Sequence, residues 1–332
     1  MKLYRYIALA ALLHAALSLA QEEQRLFAGT ATLLDNHSGT AGLYETALKS
    51  PSWKQVSWPN FSVRATTTTF GNGSPKFLLG GPLGIVQPFN NPTGWQLLTD
   101  WQMTEVLDLV VDPEDAQTIY AATSQGVYVS EDRGKTWQAR KQGLVNPFVS
   151  CLLIDPKQGH RILAGTEAGL FESFNQGKDW ALLAFADLPI RTILREPESW
   201  PGIYWVGTES HGLFESFDGG EKFEQVEMGF DSISVYALAG GGAAEPIYAG
   251  LFEKGLFRAS SPGENWAPIE GSEALGTVLS ILPLEDRQTI FVGTHQNGVQ
   301  RSTDYGRSWE SFGLRGVPVR TLMLGEADWC RP

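Results

Sequence analysis

The chain has 332 residues, 42% hydrophobic and 19% charged, enough to bury a substantial core in one large or two ordinary domains. Its net charge of −12 argues against nucleic acid as a partner, because an acidic surface repels phosphate backbones. Two cysteines, Cys151 and Cys330, are too few for a disulfide framework or a zinc site, and the histidines lack metal-ligand spacing, so neither a metal nor another cofactor is implied.

Residues 1–20 read as a signal peptide. Lys2 and Arg5 supply the positive end, Ile7 to Leu19 the apolar stretch, and Ser18 and Ala20 the small residues at −3 and −1 before Gln21. The apolar run is short for a membrane span, and no later stretch approaches about 18 apolar residues. The expectation is a secreted or periplasmic monomer over residues 21–332, with no membrane span once the leader is removed.

The rest of the chain is a repeat. Ser130 to Trp137, Ser173 to Trp180, Ser216 to Phe223, Ala259 to Trp266 and Ser302 to Trp309 share one eight-residue frame, and the central glycines Gly134, Gly177, Gly220, Gly263 and Gly306 recur every 43 residues. Thr46 to Trp53 and Pro88 to Trp95 keep the frame without the central glycine. A second marker, Gly42, Gly84, Gly126, Gly169, Gly212, Gly255 and Gly298, recurs every 42 or 43 residues and counts seven units. Each unit reads as four short strands punctuated by turn residues. In the fourth these are Val149 to Ile154, Arg161 to Thr166, Gly169 to Ser173 and Trp180 to Ala184. Four strands per 40–45 residues is the period of a β-propeller. At the end of the chain Val319 to Leu324 is a first strand with no second, and near its start Arg25 to Thr30 is a second strand with no first. Joined, they complete one blade and shut the ring, which leaves no open ring edge.

The eight-residue frame resembles the Asp-box, or BNR, repeat, Ser-x-Asp-x-Gly-x-Thr-Trp. The resemblance implies an all-β, seven-bladed propeller with the box in the hairpin between the third and fourth strands. The box chemistry is structural. Asp132, Asn175, Asp218 and Asp304 are expected to accept hydrogen bonds from the turn's own N–H groups. The five glycines supply left-handed backbone, and Trp137, Trp180, Phe223, Trp266 and Trp309 pack between sheets. None of these residues is a catalytic candidate.

Binding candidates belong on the face formed by the fourth-to-first loops and the second-to-third hairpins, or in the channel. Trp58 and Trp101 hold equivalent loop sites, where an aromatic caps the blade core or stacks on a guest. Phe61, Asn146, Phe148 and Phe230 share these loops. Gln125, Glu167, Glu209, His211, Glu253, His295 and Gln296 lie in the hairpins, with His37. Arg191, Tyr236 and Arg320 share one position in their first strands; such arginines bind an anion or pair with the chain's own acids. His160 is an isolated loop residue. Cys151 fills a small-residue site and lies three blades from Cys330, which argues against a disulfide.

Two functions follow from the resemblance. One is a non-catalytic scaffold that presents a propeller face to a protein or peptide, similar to photosystem II assembly factors and sortilin-type receptors. The other is a glycoside hydrolase or glycan-binding propeller of the sialidase or xyloglucanase type. Sialidases have six blades and a Phe/Tyr-Arg-Ile-Pro segment that this chain lacks. Xyloglucanase-type sites lie between two propellers, and there is length here for one. The scaffold is therefore the expectation, with no catalytic residue assigned.

Overall fold

Each repeat unit folds into four antiparallel strands, as its alternation of apolar runs and turn residues requires. The computed structural model describes residues 24–31, 41–71, 74–89, 94–155, 157, 161–197, 199, 201–230, 232–241 and 245–326. Residues 1–20, His37, His160 and Cys330 lie outside these residues. The described strands form seven four-stranded sheets. Blade one combines Val319–Glu326 with Gln24–Thr30, Gly42–Ala47 and Lys54–Gln55. Leu26 pairs with Leu324 and Ala28 with Leu322, so the strand at the end of the chain supplies the inner edge of the first blade. Six further blades follow in chain order, with inner strands Ala65–Gly71, Val106–Val111, Val149–Ile154, Ile190–Arg195, Val235–Gly240 and Val278–Pro283. This is a seven-bladed β-propeller.

The second strands show where the core lies. Ile119–Thr123, Ile162–Thr166, Tyr204–Thr208, Ile247–Leu251 and Ile290–Thr294 are buried at every position. A strand covered on both faces reads as a continuous apolar run, and neighbouring blades provide that cover. Close approach between blades requires a missing side chain. A Cβ on Gly250 would lie 2.8 Å from Val278 Cγ1, the first residue of the next inner strand.

Polar clasps join the blades as well. Between blades four and five, buried Asp155 accepts the Tyr204 hydroxyl at 2.7 Å and pairs with Arg195 at 3.3 Å. Arg161 bonds Glu172 and the Gly219 carbonyl. No helix among the described residues is long and apolar enough to cross a membrane.

The boxes form the hairpins of one face. Asp132, Asn175, Asp218 and Asp304 each accept a backbone N–H four residues on, at 2.8–3.0 Å. The serine that opens the box holds its other side. Ser130, Ser173, Ser216 and Ser302 accept the N–H of the central glycine at 2.7–2.9 Å. Gly134, Gly177, Gly220, Gly263 and Gly306 all have left-handed φ. Trp180 and Trp266 are buried, while Trp137, Phe223 and Trp309 are half-buried.

Candidate functional site: the channel mouth

The opposite face carries the fourth-to-first loops, the second-to-third hairpins and the mouth of the central channel. Six of the seven inner strands are irregular where they enter that mouth. In blade three the pairing skips from Val106 to Asp108, in blade four from Val149 to Cys151, in blade five from Ile190 to Thr192, in blade six from Val235 to Ala237 and in blade seven from Val278 to Ser280. In blade one it skips from Val319 to Thr321. In blade two Arg64 precedes the strand, and its N–H donates to Gly80 O. A β-bulge leaves one residue out of the ladder and re-aims its side chain. The result is a ring with one residue per blade: Arg64, Leu107, Ser150, Arg191, Tyr236, Leu279 and Arg320. All seven line a single cavity of 580 Å³.

The ring is electrostatically lopsided. Arg191 donates to Glu167 at 2.7 Å and also to Glu209, so one guanidinium lies between two hairpin acids. Arg64 pairs with Glu105 at 2.5 Å. Arg320 has no hydrogen bond or ion pair among the described residues. Arg320 is exposed to the channel, and the protein crowded around it together with the Arg64 charge pulls its pKa below the ordinary guanidinium value.

A second cavity of 440 Å³ opens beside Arg320, between blades six and seven. It brings together Tyr236, Glu253, His295 and Arg320, four of the residues singled out in the sequence. Phe252, Leu275 and Leu279 give it an apolar wall. The backbone N–H of Glu253 donates to Thr277 Oγ1 at 3.1 Å and that of His295 to Thr277 O at 3.0 Å. Thr277 thus ties both hairpins to one loop.

The remaining candidates stand apart. His211 is exposed, with Nδ1 3.1 Å from Ser210 Oγ. Phe61 is core, at 3% exposure. Trp58 is 38% exposed and Trp101 80% exposed, so capping of a blade core does not describe Trp101.

Below the mouth, Asp108 and Cys151 occupy neighbouring blades. Burial pushes the Asp108 carboxyl up to about 6, against the lowering effect of N–H bonds from Leu152 and Leu109. Burial, reinforced by the Asp108 charge, pushes the Cys151 thiol up to about 12, so it is not a ready thiolate. Among the described residues no cluster of His, Cys, Asp or Glu is arranged to hold a metal ion.

Sequence reasoning missed Arg64 and Glu105. The signal for Arg64 was present: Val63-Arg64-Ala65, Ile190-Arg191-Thr192 and Val319-Arg320-Thr321 are one tripeptide pattern. Glu105 gave none, since nothing in the repeat frame marks a loop acid.

The BNR/Asp-box repeat family model matches residues 128–139, the third-blade hairpin. No curated protein sequence matches the chain. Several solved structures share its fold. The extracellular domain of a proposed one component system from B. thetaiotaomicron has a TM-score of 0.65 and 18% identity over 83% of this chain and 38% of that chain. The GH74 xyloglucanase from Xanthomonas campestris has a TM-score of 0.64 and 14% identity over 90% of this chain and 52% of that chain. YCF48 bound to D1 peptide has a TM-score of 0.61 and 13% identity over 85% of this chain and 89% of that chain. The chain thus spans about two fifths of the extracellular domain and about half of the xyloglucanase, and nearly all of YCF48. At these identities the likeness is one of fold. With its ring of seven closed blades, the chain is a seven-bladed β-propeller, and the hairpin of its third blade matches the BNR/Asp-box repeat.

Proposed function

We propose that this chain is an exported, non-catalytic scaffold that holds a protein or peptide segment on its channel-mouth face. The observation that carries the reading is the placement of exposed apolar side chains. Trp58, Leu83, Trp101, Val145, Phe230 and Phe252 are large, exposed and all on the mouth-face loops, around a rim of charged side chains. Phe89, Phe174, Phe217 and Tyr305 are exposed on the opposite face, so the mouth carries the larger share, including both exposed tryptophans, and such a concentration beside a charged rim marks a partner surface. The peptide complex of a propeller of similar length supports this reading, and the leader-like residues 1–20 and the extracellular neighbour support export.

The geometry favours binding over glycoside hydrolysis. Hydrolysis usually needs two carboxyl groups with separate roles across the scissile bond. Glu167 and Glu209 face one another, but they share the Arg191 guanidinium. Site-specific photo-crosslinking in the native envelope tests the proposal. A photoreactive residue at Trp101 or Phe252 is expected to capture a partner, and one at Phe174 on the opposite face is not. Capture from Phe174 alone overturns the reading. So does turnover of a β-glucan by the wild-type chain that Glu209→Gln abolishes.

A further inference from the structure

Three arginines reach the channel mouth, and two of them already hold carboxylates: Arg64 holds Glu105, and Arg191 holds Glu167 and Glu209. Arg320 holds none among the described residues, although its bulge aims it into the mouth beside a 440 Å³ cavity. That volume lies within the ~300–1,000 Å³ range of ligand pockets. The Tyr236 hydroxyl, the His295 imidazole and the Gln296 side-chain amide open onto the same cavity, and none has a side-chain hydrogen bond among the described residues. Each is able to donate one. An exposed guanidinium with no partner among the described residues is matched by a planar acceptor with two oxygens.

We propose that this cavity is a carboxylate-recognition site, in which Arg320 forks onto a carboxylate of the bound peptide while Tyr236 and His295 donate from the sides. The proposal rests on the reading of the mouth face as the partner face. Phe252, Leu275 and Leu279 receive an apolar side chain next to the carboxylate. Glu253 stands exposed at the rim with a left-handed φ of 53°. One unpaired cation beside an acid suits a monoanion, whereas a phosphate dianion calls for an arginine cluster. The carboxylate is either the end of a chain or an Asp or Glu side chain, since the fork meets the same two oxygens in both.

Titration of the full chain with three probes tests this: N-acetyl-Leu-Phe as the free acid, its C-terminal amide, and N-acetyl-Leu-Phe-Glu amide. At least one carboxylate-bearing probe is expected to bind about tenfold or more tighter than the plain amide, as a charged hydrogen-bonded pair provides. Whichever of the two binds tighter identifies the source. Arg320→Gln should erase the preference and Arg320→Lys restore part of it. Glu253→Gln should tighten the carboxylate probes about twofold to fivefold, an effect that no merely structural role produces. Equal binding of acid and amide overturns the proposal, as does a preference that survives in folded Arg320→Gln. No binding up to about 10 mM, or inorganic phosphate binding as tightly as the acid, also overturns it. If Arg320→Gln does not fold, His295→Gln and Glu253→Gln decide. Loss of the Trp101 crosslink with the acid still bound through Arg320 is a failure of the partner-face reading. A Trp101 crosslink with no acid preference is a failure of the carboxylate site alone.

Discussion

The indole Nε1 of Trp53 donates to the carbonyl oxygen of Phe312 at 2.6 Å, across 259 positions of sequence. The two rings meet edge to face, with centroids 6.3 Å apart. Trp53 belongs to blade one and Phe312 to the outer strand of blade seven, so this bond fastens the last blade to the first. It is one of a set. Trp95 donates to Val56 O at 3.2 Å and Trp180 to Arg140 O at 2.9 Å, each reaching the outer edge of the preceding blade. In these three blades the tryptophan of the frame is a stitch between sheets as well as packing within one, whereas Trp137 donates to Gly134 O of its own hairpin.

Trp180→Phe keeps most of the buried ring but removes the N–H that Arg140 O accepts. It should cost about 1 kcal/mol, and Trp180→Ala about 3–5 kcal/mol. Urea unfolding with an unchanged m-value checks both. Equal costs for the two substitutions would mean that the hydrogen bond, and not the packing, dominates.

A chain ending at Pro318 lacks the strand that pairs with Gln24–Thr30 and the inner edge of blade one. It should lose the single cooperative unfolding transition and associate through the bared strand. Scanning calorimetry and size-exclusion chromatography report both effects. A truncated monomer that melts at the wild-type temperature would contradict closure by this strand.

The Asp304 carboxylate accepts the N–H and hydroxyl of Ser308 and the Ser302 hydroxyl, and is held down at about 2 against an ordinary 3.8. Because the folded value lies below the unfolded one, the stability it adds is present above about pH 4 and lost as pH falls toward 2. Asp132 and Asp218 are shifted in the same direction, Asp218 by its Lys222 N–H bond and Asp132 by bonds from Thr136 and Ser130 that outweigh its desolvation. The difference in denaturation midpoint between wild type and Asp304→Asn should therefore shrink across that window. A constant difference would show that charge plays no part in the turn.

Asp108 has the opposite sign. Its folded value of about 6 exceeds the ordinary 3.8, so between these values the folded chain keeps a proton that the unfolded chain releases. Its contribution falls as pH rises from about 4 to about 6. Asp108→Asn should flatten that slope and be the more stable variant at neutral pH, by on the order of 2 kcal/mol. A variant less stable than wild type at neutral pH would mean that the bond to Leu152 N, at 2.9 Å, needs the full charge.

Trp101 is 80% exposed, so Trp101→Ser should change stability by no more than about 0.5 kcal/mol while weakening partner capture. Thermal melts and crosslinking yield, measured on one preparation, separate the two effects.

The fold was legible because its information is periodic. Glycines at a fixed spacing, two unmatched half-blades and the box turn all constrain the backbone directly, and each recurs where the repeat places it. The site was legible only in part. Tyr236, Glu253, His295 and Arg320 meet because equivalent positions of neighbouring blades converge on one axis, which the repeat register predicts. The difference between Arg191 and Arg320 was not visible. It depends on whether Glu167 and Glu209 reach a particular guanidinium, which is a matter of hairpin and rotamer geometry rather than of pattern. Trp58 and Trp101 look alike in sequence and differ in exposure because loop conformation, not position in the repeat, decides where an aromatic points.

The bulges at the channel mouth separate two tasks that proteins often entangle. Aim comes from the backbone, and identity comes from a single side chain that takes no part in the strand ladder. Arginine, leucine, serine and tyrosine already share this position among the seven blades without altering the sheets behind it. A lineage is therefore free to rewrite the mouth one letter at a time, and to exchange one guest for another, while the wall that holds those letters stays as it is.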